Sequence, residues 1–354
     1  MRISDRIPEA AKIIEPGEDP LASATWGIMK KGHWGILIII LAVVIMLAGL
    51  SGVFGRSLAL ITLRVVDEKG DPVQNAKVGV GFMIYTKGGW DSTQIEETGR
   101  SDKKGLFSAS AISDDNLGFT INKEGYYQSS GNFKFKEHSF GRWQPWNPEI
   151  TVVLRKIGKT VPMYARDTHM MFPALEIPVV GKAVGFDLMA GDWVDPYGRG
   201  EHADMFFTLT RQFVSYDDFD GTLTITFPDR YDGIQLVKYN RSDGSDFKLP
   251  RYAPEEGYLP KLVRVFGKKP GEPYKDSSEE DNNYFFRVRS EEKEGKFIRA
   301  MYGKIHGDIR FGLRDSKTAS IVFKYFLNPD YTRNLEWNGE TLVELRYREI
   351  LNAN

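Results

Sequence analysis

The sequence of 354 residues contains no cysteine. Disulfide scaffolds, thiolate catalysis, thiolate-held zinc or iron-sulfur clusters and a lipid anchor on cysteine are therefore excluded. Histidine is scarce: His33, His138, His169, His202 and His306 are scattered, with no H-E-x-x-H or other paired spacing to frame a zinc centre. There is no G-x-S-x-G elbow, and Gly158-Lys159-Thr160 ends as a phosphate loop ends but has Val153 where the first glycine is needed. Neither sign of charge dominates. With 47 Lys and Arg against 48 Asp and Glu, the net charge of -1 leaves no basic field to condense on nucleic acid, which is not an expected partner. Long amphipathic helical stretches are missing after residue 56, so the expected fold class is all-β.

What is present begins with an apolar run. From Trp34 to Phe54 the chain reads WGILIIILAVVIMLAGLSGVF, without a formal charge. About 20 such residues, rising 1.5 Å each, match a hydrocarbon core of about 30 Å, and only a helix satisfies its own backbone there. A single transmembrane helix over 34–54 is the expectation, with the lipid bilayer as a partner. Lys30 and Lys31 before the run exceed the basic charge just after it, which places residues 1–33 in the cytoplasm and the remainder in the periplasm or outside the cell. A cleaved signal peptide is the competing reading, because Gly49 and Ser51 follow the apolar core; the leader of more than 30 residues opposes it. The tail 1–33 mixes both charges with Pro8, Pro16 and Pro20, and is expected to be disordered.

Residues 58–157 read as short strands separated by glycine-rich turns. Ile61 to Val66 is β-branched, Asp67-Glu68-Lys69-Gly70-Asp71-Pro72 is a turn, and Ala76 to Val80 is a second strand. A second turn falls at Asp102-Lys103-Lys104-Gly105, and Ile150 to Leu154 closes the segment. The order V-x-D-x-x-G-x-P-V-x-x-A-x-V from Val65 to Val78, then D-x-x-G-x-F from Asp102 to Phe107, then K-x-G-Y from Lys123 to Tyr126 resembles the carboxypeptidase regulatory-like domain. That resemblance implies a transthyretin-like β-sandwich and an accessory module of envelope and surface proteins, with no catalytic residue to carry over. The stretch Phe82 to Glu97 and the loop Ser139 to Trp146 depart from the pattern as insertions.

Residues 158–354 are read by period as a second β-rich domain. Thr222 to Phe227 alternates strictly, Ile305, Gly307, Ile309, Phe311 and Leu313 alternate with Lys304, His306, Asp308 and Arg310, and Ala319, Ile321, Phe323 and Tyr325 repeat the pattern. These are expected to be half-buried strands. Trp337-Asn338-Gly339-Glu340 predicts a type I′ hairpin running to Tyr347, and Asp330 to Arg333 a short helix. Arg241 to Asp246 and Lys268 to Asn283 read as exposed, mobile loops.

Two constellations are candidates for chemistry. Asp187, Asp192, Asp195, Glu201 and Asp204 place five carboxylates in one short acidic segment beside Trp193 and His202, as a calcium site or an acid and base pair requires; Asp187, Asp192, Asp195 and Asp204 are the candidate calcium ligands. The simpler reading is solvated acids on turns. Asp217 to Gly221 has the look of a calcium loop but meets Phe227 where an EF-hand places its Glu. Phe140, Trp143 and Trp146 share one loop and are the candidate ligand-binding rings, with core packing as the alternative. Asn240-Arg241-Ser242 is an isolated glycosylation sequon. Together these features predict a membrane-anchored, non-catalytic accessory or assembly protein of a cell envelope, acting through β-sandwich contacts with a protein partner or a second copy of itself. The alternatives are a carbohydrate-binding surface module and a hydrolase using the segment 187–204; no cofactor is expected, calcium being the one candidate.

Overall fold

The computed structural model describes residues 56–86, 91–171, 174–238, 244–313 and 319–344. The tail 1–33, the apolar run 34–54, the sequon at Asn240 and residues 345–354 lie outside the described residues. Among the described residues no helix is long and apolar enough to cross a membrane. The fold there is all-β, with a single 3-10 turn at Thr168–Met170.

In chain order the first nine strands are β1 (Ser57–Asp67), β2 (Lys77–Tyr85), β3 (Ser92–Arg100), β4 (Leu106–Ser113), β5 (Asn116–Asn122), β6 (Ser129–Lys134), β7 (Glu137–Ser139), β8 (Arg142–Gln144) and β9 (Glu149–Leu154). They form two sheets, β4-β1-β8-β7 with β9 also on β1, and β3-β2-β5-β6. One core fills the space between them, with Ile61, Leu63 and Val65 of β1 facing Val78, Val80 and Phe82 of β2 and Leu117, Phe119 and Ile121 of β5. The alternation written into β1 and β5 puts these side chains on one face, and each full burial contributes about 1.5–3 kcal/mol. The two sequence turns form as read. Asp67 Oδ1 accepts from the N–H groups of Lys69 and Asp71, with Gly70 at φ +86°. Asp102 Oδ1 accepts from Lys104 and Leu106, and at Gly105, φ +78°, a side chain would collide with the carbonyl of Val65. The stretch expected as an insertion supplies the outer half of β2 and most of β3, paired from Lys77↔Arg100 to Tyr85↔Ser92.

The remaining strands are β10 (Val161–Asp167), β11 (Ala183–Asp187), β12 (Asp192–Trp193), β13 (Met205–Ser215), β14 (Asp218–Thr226), β15 (Gly233–Lys238), β16 (Lys261–Lys268), β17 (Lys275–Asp276), β18 (Asn282–Lys293), β19 (Lys296–Leu313), β20 (Ala319–Asn328) and β21 (Trp337–Thr341). Two six-stranded sheets, β15-β18-β19-β20-β10-β21 and β12-β11-β13-β14-β16-β17, enclose an aromatic-rich core in which Phe186, Phe207, Phe286, Phe323 and Tyr325 are buried. β14 alternates buried and half-buried side chains throughout, as its sequence requires.

Four expectations are corrected. Trp337 to Glu340 is not a hairpin turn: these residues lie within β21, parallel to β10 with Val161↔Trp337 and Met163↔Thr341, because the Trp337 ring packs on Phe326 and Thr341 Oγ1 donates to the Ala165 carbonyl. Gly339 at φ +93° accommodates the local irregularity, and the predicted return arm beyond Glu344 lies outside the described residues. Asp330 to Arg333 forms a turn, closed by Asp330 Oδ1 accepting from the Thr332 N–H and hydroxyl, not a helix. β19 is not half-buried by simple alternation. Two extra residues sit between the pairs His306↔Lys324 and Arg310↔Val322, Gly307 takes φ +78°, and Asp308 and Ile309 both turn inward. Lys304, on the opposite face, is buried too, because the segment 244–253 crosses over that face with Phe247, Leu249 and Ala253.

The inward turn of Asp308 also decides what becomes of Lys268 to Asn283. Asp308 Oδ1 accepts from Arg264 Nη2 at 2.7 Å and Tyr284 Oη at 2.6 Å, while Oδ2 accepts from the Glu279 N–H at 2.9 Å and Asn282 Nδ2 at 2.6 Å. With β17 added to β16, the polar stretch is fastened at two points instead of hanging free. Asp308→Ala leaves a buried guanidinium, phenol and amide without their acceptor, and is expected to cost about 3–5 kcal/mol in denaturant unfolding and to open 268–283 to protease. A loss under about 1 kcal/mol, the scale of an exposed pair, would show that the network contributes little.

Candidate functional site

The acidic segment folds into a closed knot. Asp187 Oδ1 accepts from the N–H groups of Met189 and Ala190, and Oδ2 from those of Glu201 and His202. Asp204 accepts from the Leu188 N–H, and Arg289 reaches both carboxylates, at 2.6 Å to Asp204 Oδ1 and 3.0 Å to Asp187 Oδ1. Arg289 takes φ +53° to do so, at an irregularity between β18 and β19. Burial alone would raise Asp187, but its N–H donors and Arg289 outweigh it and hold the carboxyl below the usual range; in Asp204 burial wins and the carboxyl is raised. Asp192 accepts from the Trp193 N–H and lies 3.8 Å from Arg199, and Asp195 sits at the far end of the loop, where its N–H donates to the Gly200 carbonyl. Of the four candidate calcium ligands, Asp187 and Asp204 meet at Arg289, and among the described residues no group of three or more His, Asp or Glu side chains is placed to hold a metal ion. Nor do Asp192 and Asp204 stand as a free acid and base.

Beside this knot lies a carboxylate that the sequence reading passed over. Asp232 is buried; Oδ1 accepts from the Ser290 hydroxyl and N–H, while Oδ2 has no partner. Burial, with Asp229 and Asp204 near it, pushes its carboxyl up to about 7 against the pull of Ser290.

The aromatic loop divides. Phe140, at the tip between β7 and β8, is fully exposed at φ +49°. Trp146 is half-buried under the Arg142 guanidinium, 4.7 Å from its ring centre. Trp143, a candidate binding ring with core packing as the alternative, takes the core position at 7% exposure: it stacks 6.1 Å from Phe135 and donates its indole N–H to the Ser113 carbonyl at 2.9 Å. Alternation along β8 sends Trp143 inward and its neighbours outward.

On the outer face of β3-β2-β5-β6, Gly79, Gly81 and Gly118 carry no side chain, and Gln94 and Glu96 of β3 lie across Gly81 and Gly79. A trough of about 430 Å³ stands over this face, bordered by Gln94, Glu96, Thr120, Ser130 and Asn132. A wider hollow of about 710 Å³ is bordered by Lys77, Arg100, Lys123 and Glu124. Its rim is basic.

The most elaborate constellation joins the two sandwiches. Glu336, which has no exposed surface, accepts at Oε1 from Tyr127 Oη at 2.9 Å and from the Gly158 N–H at 2.6 Å, and its Oε2 pairs with Arg251. Arg251 also reaches Glu68 at 3.3 Å and the Lys156 carbonyl at 2.7 Å. Arg155 binds Glu68 and donates to the carbonyls of Phe247 and Leu249. Phe247 stacks on Tyr127 with ring centres 5.0 Å apart, and Arg155 lies over its face at 4.6 Å. The backbone is shared as well: Ser130 N–H donates to Gly244 and Asp246 N–H to Gln128, so the segment from Gly244 lies along the free edge of β6. Gly244 takes φ +61° where a side chain would strike the Ser130 carbonyl. Burial raises Glu336, yet Arg251, the Gly158 N–H and Tyr127 prevail and hold it low. Residues from Leu58 onward accordingly form one compact unit. Reading by period missed this joint, since Tyr127 and Glu336 are 209 positions apart; Phe247 and Glu336 stand in segments with no regular alternation.

No protein family matches the sequence, and no curated protein matches it. Among solved structures, a streptococcal ancillary pilin overlaps 80% of this chain and 63% of its own at 11% identity and TM-score 0.21. The shaft pilin SpaA from Lactobacillus rhamnosus GG overlaps 71% of this chain and 94% of its own at 10% identity and TM-score 0.22. A 3-chlorocatechol 1,2-dioxygenase from Rhodococcus opacus 1CP is overlapped over 28% of this chain and 60% of its own, at 13% identity and TM-score 0.23. This chain thus spans less than two thirds of the dioxygenase. At such scores the overlaps carry no functional argument, and the reading rests on the residues of this chain.

Glu336→Ala strips the joint of its buried acceptor and leaves Arg251 uncompensated. The expected outcome in calorimetry is a loss of about 3–5 kcal/mol and the splitting of one unfolding transition into two, one per sandwich; a single unshifted transition would refute the joint's importance. For Asp232 the sign runs the other way from an ordinary paired acid. The folded carboxyl keeps its proton to about pH 7, so its contribution is complete below the unfolded value near 4 and is lost as pH rises toward 7, with a slope of at most about 1.4 kcal/mol per pH unit. The stability difference between the native chain and Asp232→Asn is expected to slope across that window, and a flat difference would mean that Asp232 titrates normally.

Proposed function

We propose that the chain is a non-catalytic accessory or assembly protein of a cell envelope: residues 1–33 cytoplasmic, residues 34–54 a single membrane span, and the two β-sandwiches presented beyond it to a protein partner or a second copy. The apolar run supports the anchor. The resemblance of residues 58–157 to carboxypeptidase regulatory-like modules supports an accessory role. The observation that carries the reading is the joint at Glu336, where buried charges of both sandwiches are committed to each other, so that the outer part presents its faces at a fixed angle. A hydrolase centred on Asp187 and Asp204 has less support, because their oxygens already hold N–H groups and Arg289.

A carbohydrate-binding module is the second reading. Its support is the trough on β3-β2-β5-β6, whose amide, hydroxyl and carboxylate rim suits sugar hydroxyls, and the exposed ring of Phe140. The full chain is expected to sediment with membranes, to resist high-salt extraction, and to copurify with a protein partner or itself after mild detergent. Recovery of the intact chain in the soluble fraction, or of a solitary monomer, would overturn the first reading; a glycan array silent at Phe140 and at the trough would remove the second.

A further inference from the structure

The face of β19 and β20 that the segment 244–253 crosses gathers cations. Lys304 and His306 lie on β19, His306 is the register partner of Lys324 on β20, and the crossing segment brings Lys248 to the same place. Lys304 is 3% exposed. Its ammonium sits 4.8 Å from the ring centre of Phe247 and 5.3 Å from that of Phe326, and it has no hydrogen-bond partner among the described residues. The His306 ring lies 4.9 Å from Phe326, with Nε2 buried and unpartnered.

Asp167 of β10 faces Lys324 and Asp246 faces Lys248, while Glu336, whose charge acts on Lys304, is committed to Arg251, Tyr127 and Gly158; Arg155 adds a further positive charge. A lysine buried between two rings and a half-buried imidazole whose Nε2 is buried and unpartnered, next to like charges, are costly arrangements unless a ligand completes them. At Gly307, next in sequence and at φ +78°, nothing stands within 4 Å of where a side chain would start.

We propose that this cluster is a binding site for a small oxyanion, a phosphate or carboxylate group, held by Lys304 and His306 with Lys324 beside them and Lys248 at the rim. The proposal goes beyond the assembly reading and does not depend on it. An oxyanion supplies the acceptors that Lys304 and His306 lack and offsets the repulsion that depresses all three groups: burial, then neighbouring cations, holds Lys304 down to about 7 and His306 well below its usual value, and burial with Lys248 lowers Lys324 against Asp167. Binding then takes up protons, so affinity strengthens as pH falls.

The test uses the full chain in detergent, titrated with inorganic phosphate or with acetate against chloride at equal ionic strength, reading the thermal midpoint and, for phosphate, 31P line width. A midpoint that climbs with phosphate or acetate, more at pH 6 than at pH 8, is expected; which anion acts identifies the group. Lys304→Met keeps the packing between the two rings and is expected to weaken binding about tenfold or more. Should that variant fail to fold, Lys248→Ala, altered at an exposed position, is expected to weaken binding about threefold. No shift beyond chloride with either anion, or a folded variant that responds as the native chain does, overturns the site.

Discussion

A carboxylate with no exposed surface, Glu336, is the point on which the arrangement of the outer part turns. Removing a charge from water costs several kcal/mol, and that cost is offset only where donors are ready on all sides. Here Tyr127 and the Gly158 N–H come from one side and Arg251 from the other, with Phe247 as a ring between Tyr127 and the guanidinium of Arg155. Any rotation of one sandwich against the other would separate these partners together. The segment from Gly244 adds backbone pairing to the free edge of β6, which also removes that edge from possible contact with other chains.

The same economy recurs inside the second sandwich. Asp308 gathers Arg264, Tyr284, Asn282 and the Glu279 N–H, and Arg289 ties Asp187 to Asp204. In each case a charge from one sheet or loop is matched by partners far away in sequence, so buried polarity fixes which loop lies over which strand. Apolar contacts among Phe186, Phe207, Phe323 and Tyr325 supply the bulk of the driving force but tolerate sliding. The polar knots are what oppose that sliding.

How much of this could be read in advance varies with range. The turns at Asp67 and Asp102 were legible because an aspartate, a glycine and two short N–H donors are all within five positions. β14 was legible because its alternation is unbroken. β19 was not, since the bulge at Gly307 inserts residues that period counting cannot see. Asn338-Gly339 carried a hairpin signal, but Trp337 and Thr341 found partners on β10 and Phe326, and tertiary pairing overrode the local preference. The acidic segment was picked out by composition, while its meaning lay with Arg289, 85 residues beyond Asp204. Trp143 was grouped with Phe140 and Trp146 by proximity in sequence, although it alone of the three lies in β8, at the inward-facing position.

The ladder between the first and last strands of the first sandwich has a mechanical consequence. β1 and β9 run parallel from Thr62↔Glu149 to Asp67↔Leu154, side by side in one sheet. The chain enters at the start of β1 and leaves toward the second sandwich from the end of β9. Tension between those two exits therefore acts along the strands in opposite senses, shearing the whole ladder at once instead of unzipping it bond by bond. A domain wired in this way resists being stretched from its ends far better than its thermal stability alone would suggest.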